Sequence, residues 1–205
     1  MDDPTPSQFR AGVMAFRQRE SRDAMYRVAT FLVKHFWGHA RELADGIGVL
    51  LLTWNQAHYR YGPPDFERFE RLLIAEAATL QSLRDRHIST FLTADIQTTE
   101  ALFSSALAAL EIAEGKSKER QSPVAVAKAL HLLAPGFFPL WDKAIAIAYT
   151  CDYSVSAVNA YLRFMNIAKG MVEKHAETIR PLLAGKTPLK VLDEYNYAKF
   201  TKQWV

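Results

Sequence analysis

Apolar residues in this chain recur at spacings of three and four almost from end to end, and no stretch alternates apolar with polar or offers an Asn-Gly hairpin turn. The first period is that of an amphipathic helix and the second would be that of a half-buried strand. An all-α domain of about eight to ten helices is therefore expected. Residues 8–34 carry Phe9, Val13 and Phe16, then Met25, Val28, Ala29 and Leu32, at helical spacing. Residues 39–61 form a second helical stretch, apolar on most faces through "GVLLLTW", and so predicted to be central to the core. Gly62-Pro63-Pro64 stops it. Asp65 caps a helix over 65–86, and a further helix spans about 95–114 before Gly115. Ser122-Pro123 is an N-cap followed by proline at the first helical position, and that helix runs to about Leu133. Asp142 opens a short helix. Residues 154–184 give one or two more, broken near Gly170, and "TPLKVLDEYNYAKFTKQW" closes the chain with a last one.

The whole chain, 1–205, fits one domain with room for two lobes and a cleft between them. Hydrophobic residues make up 49%, enough for one substantial core. The net charge is only +3, so the placement of charge carries more than its sum. Cys151 is the single cysteine, which leaves no intrachain disulfide and no cysteine-based zinc site. Six scattered histidines lack ligand spacing, and no metal or cofactor is expected. The reading is of a cytoplasmic monomer without a membrane segment, since the longest apolar run, Ile47 to Leu52, is far short of a span.

Two stretches carry chemistry. "GVLLLTWNQAHYRYG", Gly48 to Gly62, passes from an apolar run into Trp54, Asn55, Gln56, His58, Tyr59, Arg60 and Tyr61. "SPVAVAKALHLLAPGFFPLWDKAIAIAY", Ser122 to Tyr149, runs from a small-residue helix through a tight turn to Trp141 and Asp142 at a new helix start. The second stretch resembles the element of helix-hairpin-helix DNA glycosylases in which an apolar residue precedes a catalytic aspartate at a helix N-terminus. The first resembles the same superfamily's buried helix ending in amides that fill the gap left by an extruded base. Together they span about residues 45–150.

The resemblance implies a DNA glycosylase acting on double-stranded DNA. Asp142 would be the catalytic carboxylate and Asn55 and Gln56 the gap fillers. Trp54, His58, Tyr59 and Trp141 would form a pocket that stacks on the flipped base. The superfamily's Gly-rich hairpin loop is missing, and "KSKERQSP" stands in its place. Lys116, Lys118, Arg120 and the Ser122 helix terminus would hold DNA phosphate there instead. No lysine stands at Pro123 to Ala125, where bifunctional members carry their nucleophile. Lys128 lies one turn further on. A monofunctional enzyme is thus implied, one that hydrolyses the base and leaves an abasic site. Its unusual form implies a specialised substrate, such as the modified DNA of phage.

Read from the residues alone, each position also has a plainer role. Asp142 is an ordinary N-cap, the aromatics are core, the amides are the wet end of a helix, and the Lys116–Arg120 loop is solvated. His131 among leucines is a buried, hydrogen-bonded imidazole. Arg10, Arg17, Arg19, Arg22 and Arg27 are mostly solvated surface. The aromatic C-terminus is core packing or the edge of a lid. On these readings the chain is a non-catalytic helical module that binds DNA or protein. Burial discriminates between the two, because a catalytic Asp142 must open onto a cavity with Asn55 or Gln56 at its rim.

Overall fold

The computed structural model describes residues 3–205. Among them are twelve α-helices and no strand, only an isolated bridge between Pro64 and Ile112. The all-α reading holds. None of the helices is long and apolar enough to cross a membrane.

The 8–34 stretch is two helices. Helix α1, Pro6–Arg19, starts at a capping box in which Thr5 and Gln8 satisfy each other's end groups. Helix α2, Ala24–His35, starts after Asp23, which sits in the left-handed region at φ 39°. That break re-phases the pattern. Tyr26, Ala29 and Val33 face inward, and Val28, expected on the inner face, is exposed.

The 39–61 stretch also divides, into α3, Ala40–Trp54, and a single turn, α4, Gln56–Tyr59. Helix α3 buries Leu43, Ala44, Ile47, Leu50 and Leu51 but shows Asp45, Val49 and Thr53 to solvent. It is amphipathic, not central. Gly46 and Gly48 explain its apolar look. A Cβ at Gly46 would lie 2.1 Å from a Leu32 methyl and one at Gly48 2.7 Å from the Phe66 ring. The two glycines let α2 and α5 approach closely from two sides.

Helix α5, Phe66–Ala75, is capped by Asp65 as expected, and α6, Ala77–Arg84, follows a break at Glu76. Helix α7, Ile96–Ala109, ends earlier than the sequence indicates, at Leu110. Helix α8, Pro123–Leu133, is the centre of the molecule, buried from Ala125 to Leu133 except at Lys128. Its small residues admit α2, α3 and α7 around it. Asp142 caps α9, Lys143–Ala148.

Helix α10, Ala157–Lys174, passes through Gly170 without breaking. That glycine faces solvent, and Phe164, Met165, Ala168 and Met171 pin the buried side, which outweighs its cost of about 1 kcal/mol. The break comes at His175, before α11, Ala176–Ile179. Helix α12, Pro188–Asn196, packs on α1 and continues into a π-helical turn, Tyr197–Thr201.

Candidate functional site

Asp142 opens onto a cavity of about 330 Å³. The walls come from distant parts of the chain: the end of α1, the start of α2, Thr53 and Trp54 closing α3, Lys128 on α8, and Lys190 and Asp193 on α12. Asp142 is doubly held. Its Oδ1 accepts from the Ile145 amide at 2.9 Å, the N-cap bond, and its Oδ2 accepts from the Thr201 hydroxyl at 2.5 Å. The carboxylate is fixed in place and still half-exposed to the cavity.

Lys128 lines the same cavity as Asp142. Its Nζ donates to the Trp54 carbonyl at 2.5 Å and lies over the Trp54 ring, 5.1 Å from its centroid. Burial pushes the ammonium down to about 8, against the opposing pull of Asp142 and Asp193. A lysine lowered this way costs stability. The folded value is below the unfolded one of about 10.4, so the penalty is complete below about pH 8 and fades as pH rises towards 10. Lys128→Met should therefore raise the melting temperature at pH 7, and by less at pH 10. A lower melting temperature at both pH values would show that the Trp54 hydrogen bond outweighs the burial cost.

The cavity floor is an ion-pair network. Lys190, 2% exposed, reaches Asp193 at 3.0 Å and Asp23 at 3.6 Å. Lys186 joins Asp23 to the fully buried Glu194, which also holds Arg17. Burial alone would lower the Lys190 ammonium, but Asp193, Asp23 and Glu194 outweigh it and raise it. Burial raises the Asp193 carboxyl, against the pull of Lys190. Tyr26 and Phe16 cover Lys190, their rings within 4.6 and 4.7 Å of its Nζ.

The other sequence-predicted residues divide. Trp54 lines the cavity, half-buried. Trp141 borders it but is packed at 1% exposure against Tyr153, Tyr161 and Phe164, with its indole N–H donated to the Pro123 carbonyl. Its ring has no face left for a base. Tyr59 is likewise buried, its hydroxyl donated to Leu110. His58 lies edge-on to Tyr59, and burial beside Arg120 lowers its imidazole. Tyr59 and His58 do not line the cavity, because α3 ends at Trp54 and the chain then turns away.

Asn55 is tied. Its amide donates to the Ser122 hydroxyl at 2.9 Å, and the same hydroxyl caps α8 by accepting from Ala125. Ser122 is buried and its oxygen accepts both bonds, which leaves only its O–H to donate. Gln56 is exposed. Lys116, Lys118 and Arg120 are exposed too, but Glu114 and Glu119 alternate with them and dilute their charge. Tyr61 lies between Arg60 and Arg120, within 4.7 and 5.4 Å of their guanidinium carbons.

His131 is the satisfied imidazole its sequence setting predicts. It bonds the Phe138 carbonyl at 2.7 Å and the Tyr26 hydroxyl at 3.2 Å, and burial pushes it down to about 3. Among the described residues no cluster of three or more His, Cys, Asp or Glu side chains is arranged to hold a metal.

Thr201, Lys190, Asp193 and Asp23 belong to the site and were not singled out in the sequence. One signal was there: "KVLDEYNY" sets Lys190, Asp193 and Glu194 among apolar and aromatic residues, and charges inside an apolar helix need partners. Compared with protein-family models, curated proteins and solved structures, the chain matches none. The fold and site define an all-α protein with a charged, half-open cavity built around one capping carboxylate.

Proposed function

We propose that this protein is a monofunctional DNA glycosylase of the helix-hairpin-helix kind. It would flip a damaged or modified base and hydrolyse its N-glycosidic bond, leaving an abasic site. The observation that carries the reading is the placement of Asp142, rigidly held at a helix start and open to a cavity bordered by Trp54 and Lys128. The volume lies at the lower end of the range for small-molecule pockets. As the C1′–N bond breaks, the sugar gains oxocarbenium character. A fixed carboxylate beside it stabilises that charge and orients the attacking water. The departing base needs a proton. Lys128, on the wall of the same cavity and charged below about pH 8, would give it. Excision should accordingly slow as pH rises through about 8.

The amides are proposed to act on the far strand. Gln56, exposed past the end of α3, is the better gap filler, because Asn55 is held by Ser122. Gln56→Ala should lower the excision rate on the order of tenfold, since an unfilled gap makes the flipped state costlier by a kcal/mol or more, with the melting temperature unchanged. Asn55→Ala should instead destabilise the fold by about 1 kcal/mol, the scale of one lost buried hydrogen bond. Equal effects of the two on excision, with both stabilities intact, would remove this division of labour.

The test of the whole reading is a panel of duplexes with oxidised, alkylated and deaminated bases, together with phage genomic DNAs carrying plain and modified cytosines or thymines. Alkali-dependent cleavage of some member, without a borohydride-trapped covalent adduct, is expected. Activity on modified phage DNA alone would place the protein in phage defence, and activity on damaged oligonucleotides alone would place it in repair. Inactivity across the panel would favour a non-catalytic helical binding module, to which the packed Trp141 and Tyr59 already conform.

A further inference from the structure

The outer face of α2 is the most one-sided charged surface beside the cavity. From Arg22 to Lys34 the cations are Arg22, Arg27 and Lys34, all exposed, and the acid is Asp23 alone. Asp23 turns inward to Lys186 and Lys190, so its charge is spent in the cavity floor. Among the described residues no ion pair involves Arg22, Arg27 or Lys34. Between these cations stand Val28, 55% exposed, and Phe31, 70% exposed.

This face is not idle surface left by packing. Tyr26, Ala29 and Val33 already seat α2 on the body of the protein, so Val28 and Phe31 contribute nothing to the core. With Arg22, Arg27 and Lys34 they border a shallow concavity, and Ala24 lines both that concavity and the cavity of Asp142. A ligand lying along α2 therefore runs to the cavity mouth. Arg27 and Lys34 are two helical turns apart, about 10.5 Å at ~1.5 Å per residue.

We propose that the outer face of α2 binds the phosphodiester backbone of duplex DNA, with Arg22, Arg27 and Lys34 on phosphates and Val28 and Phe31 against the sugars. The choice of partner rests on the glycosylase reading; the charge pattern and its continuity with the cavity do not. The Lys116–Arg120 loop also carries three cations, but the exposed Glu119 stands among them, whereas Asp23 turns inward.

The experiment measures binding of the full-length chain to a fluorescent duplex of unmodified bases, by anisotropy across a salt titration, with no turnover involved. Arg22→Ala/Arg27→Ala/Lys34→Ala should weaken binding at least tenfold at low salt. It should also flatten the log–log salt dependence by about 2.7 units, ~0.9 for each lost phosphate contact. Phe31→Ala should weaken binding several-fold at every salt concentration with the slope unchanged, because an apolar contact releases no counterions. All the changed side chains are exposed, and an unshifted melting temperature confirms that the fold survives.

A triple variant whose slope stays within half a unit of wild type overturns the proposal, and if excision persists in the panel the glycosylase reading stands without it. A flattened slope with an inactive panel keeps the DNA-binding face and removes the enzyme. A second arm uses vesicles of phosphatidylserine and phosphatidylcholine. Loss of vesicle binding in the triple variant, with duplex binding untouched, would make the face a membrane surface and overturn the proposal.

Discussion

Asp142→Asn is expected to lower base excision on the order of 10³-fold while the protein stays folded and still binds DNA. The expected loss is that of an electrostatic stabiliser that acts as charge develops. The substitution removes the charge and little else. Asparagine is as good an N-cap as aspartate, so the Ile145 amide keeps its acceptor. The Thr201 hydroxyl, which donates to Oδ2, can turn to accept from the new amide N–H₂. Because the carboxylate acts in the transition state, kcat and kcat/KM should fall together and affinity should hold. Single-turnover cleavage of a labelled substrate duplex after alkali, beside an anisotropy titration, reads both quantities. Asp142→Ala separates the two roles of the residue. It should lose turnover equally and also about 1 kcal/mol of stability, the worth of a cap. An Asp142→Asn protein that excises at the wild-type rate would reduce Asp142 to a cap and take the site assignment with it.

Glu194→Ala is expected to destabilise the fold by about 3 kcal/mol, the lower end of the range for breaking a buried ion pair. Glu194 is fully buried, and its two oxygens accept from Arg17 at 2.8 Å and Lys186 at 2.5 Å. Without it, both cations keep lesser partners. Arg17 retains the Leu182 carbonyl and Lys186 retains Asp23. Both are about a quarter exposed, so water relieves part of the loss. For a chain of this size the melting temperature should drop by about 10 °C, at ~2–4 °C per kcal/mol. The same network fixes Asp23 and Lys190 in the cavity wall. Excision should therefore weaken in Glu194→Ala even below its melting temperature. A shift of under about 2 °C in a thermal melt would mean that the network contributes specificity of packing and little stability.

Much of the fold was readable locally. Ser122-Pro123, Asp65 and Asp142 begin helices where the sequence places them, because capping is settled by one side chain and the amide three residues on. The end of α8 at Leu133 was equally legible. Breaks without a glycine or proline were not. Asn55 and Glu76 interrupt stretches that read as continuous, and nothing in their local sequence announces it; the break expected near Gly170 comes five residues later, at His175. Gly170 misled in the other direction, since propensity yields to packing when the opposite face is anchored.

The site was half legible. Asp142 and Trp54 do share a cavity, and Lys128, passed over on spacing, joins them there. Tyr59 and Trp141 are aromatic anchors of the core, a role that residue type alone cannot separate from a stacking wall.

By itself the sequence determined the helical class, the starts of α5 and α8, and the carboxylate at the head of α9. These follow from bonds and periods spanning four residues or fewer. Tertiary structure decided which helix is central, which face of α2 is left outside, and which charges meet. Lys190 finds Asp23 across 167 positions and Thr201 finds Asp142 across 59. Such pairings depend on how twelve short rods settle against one another, and no local period encodes that.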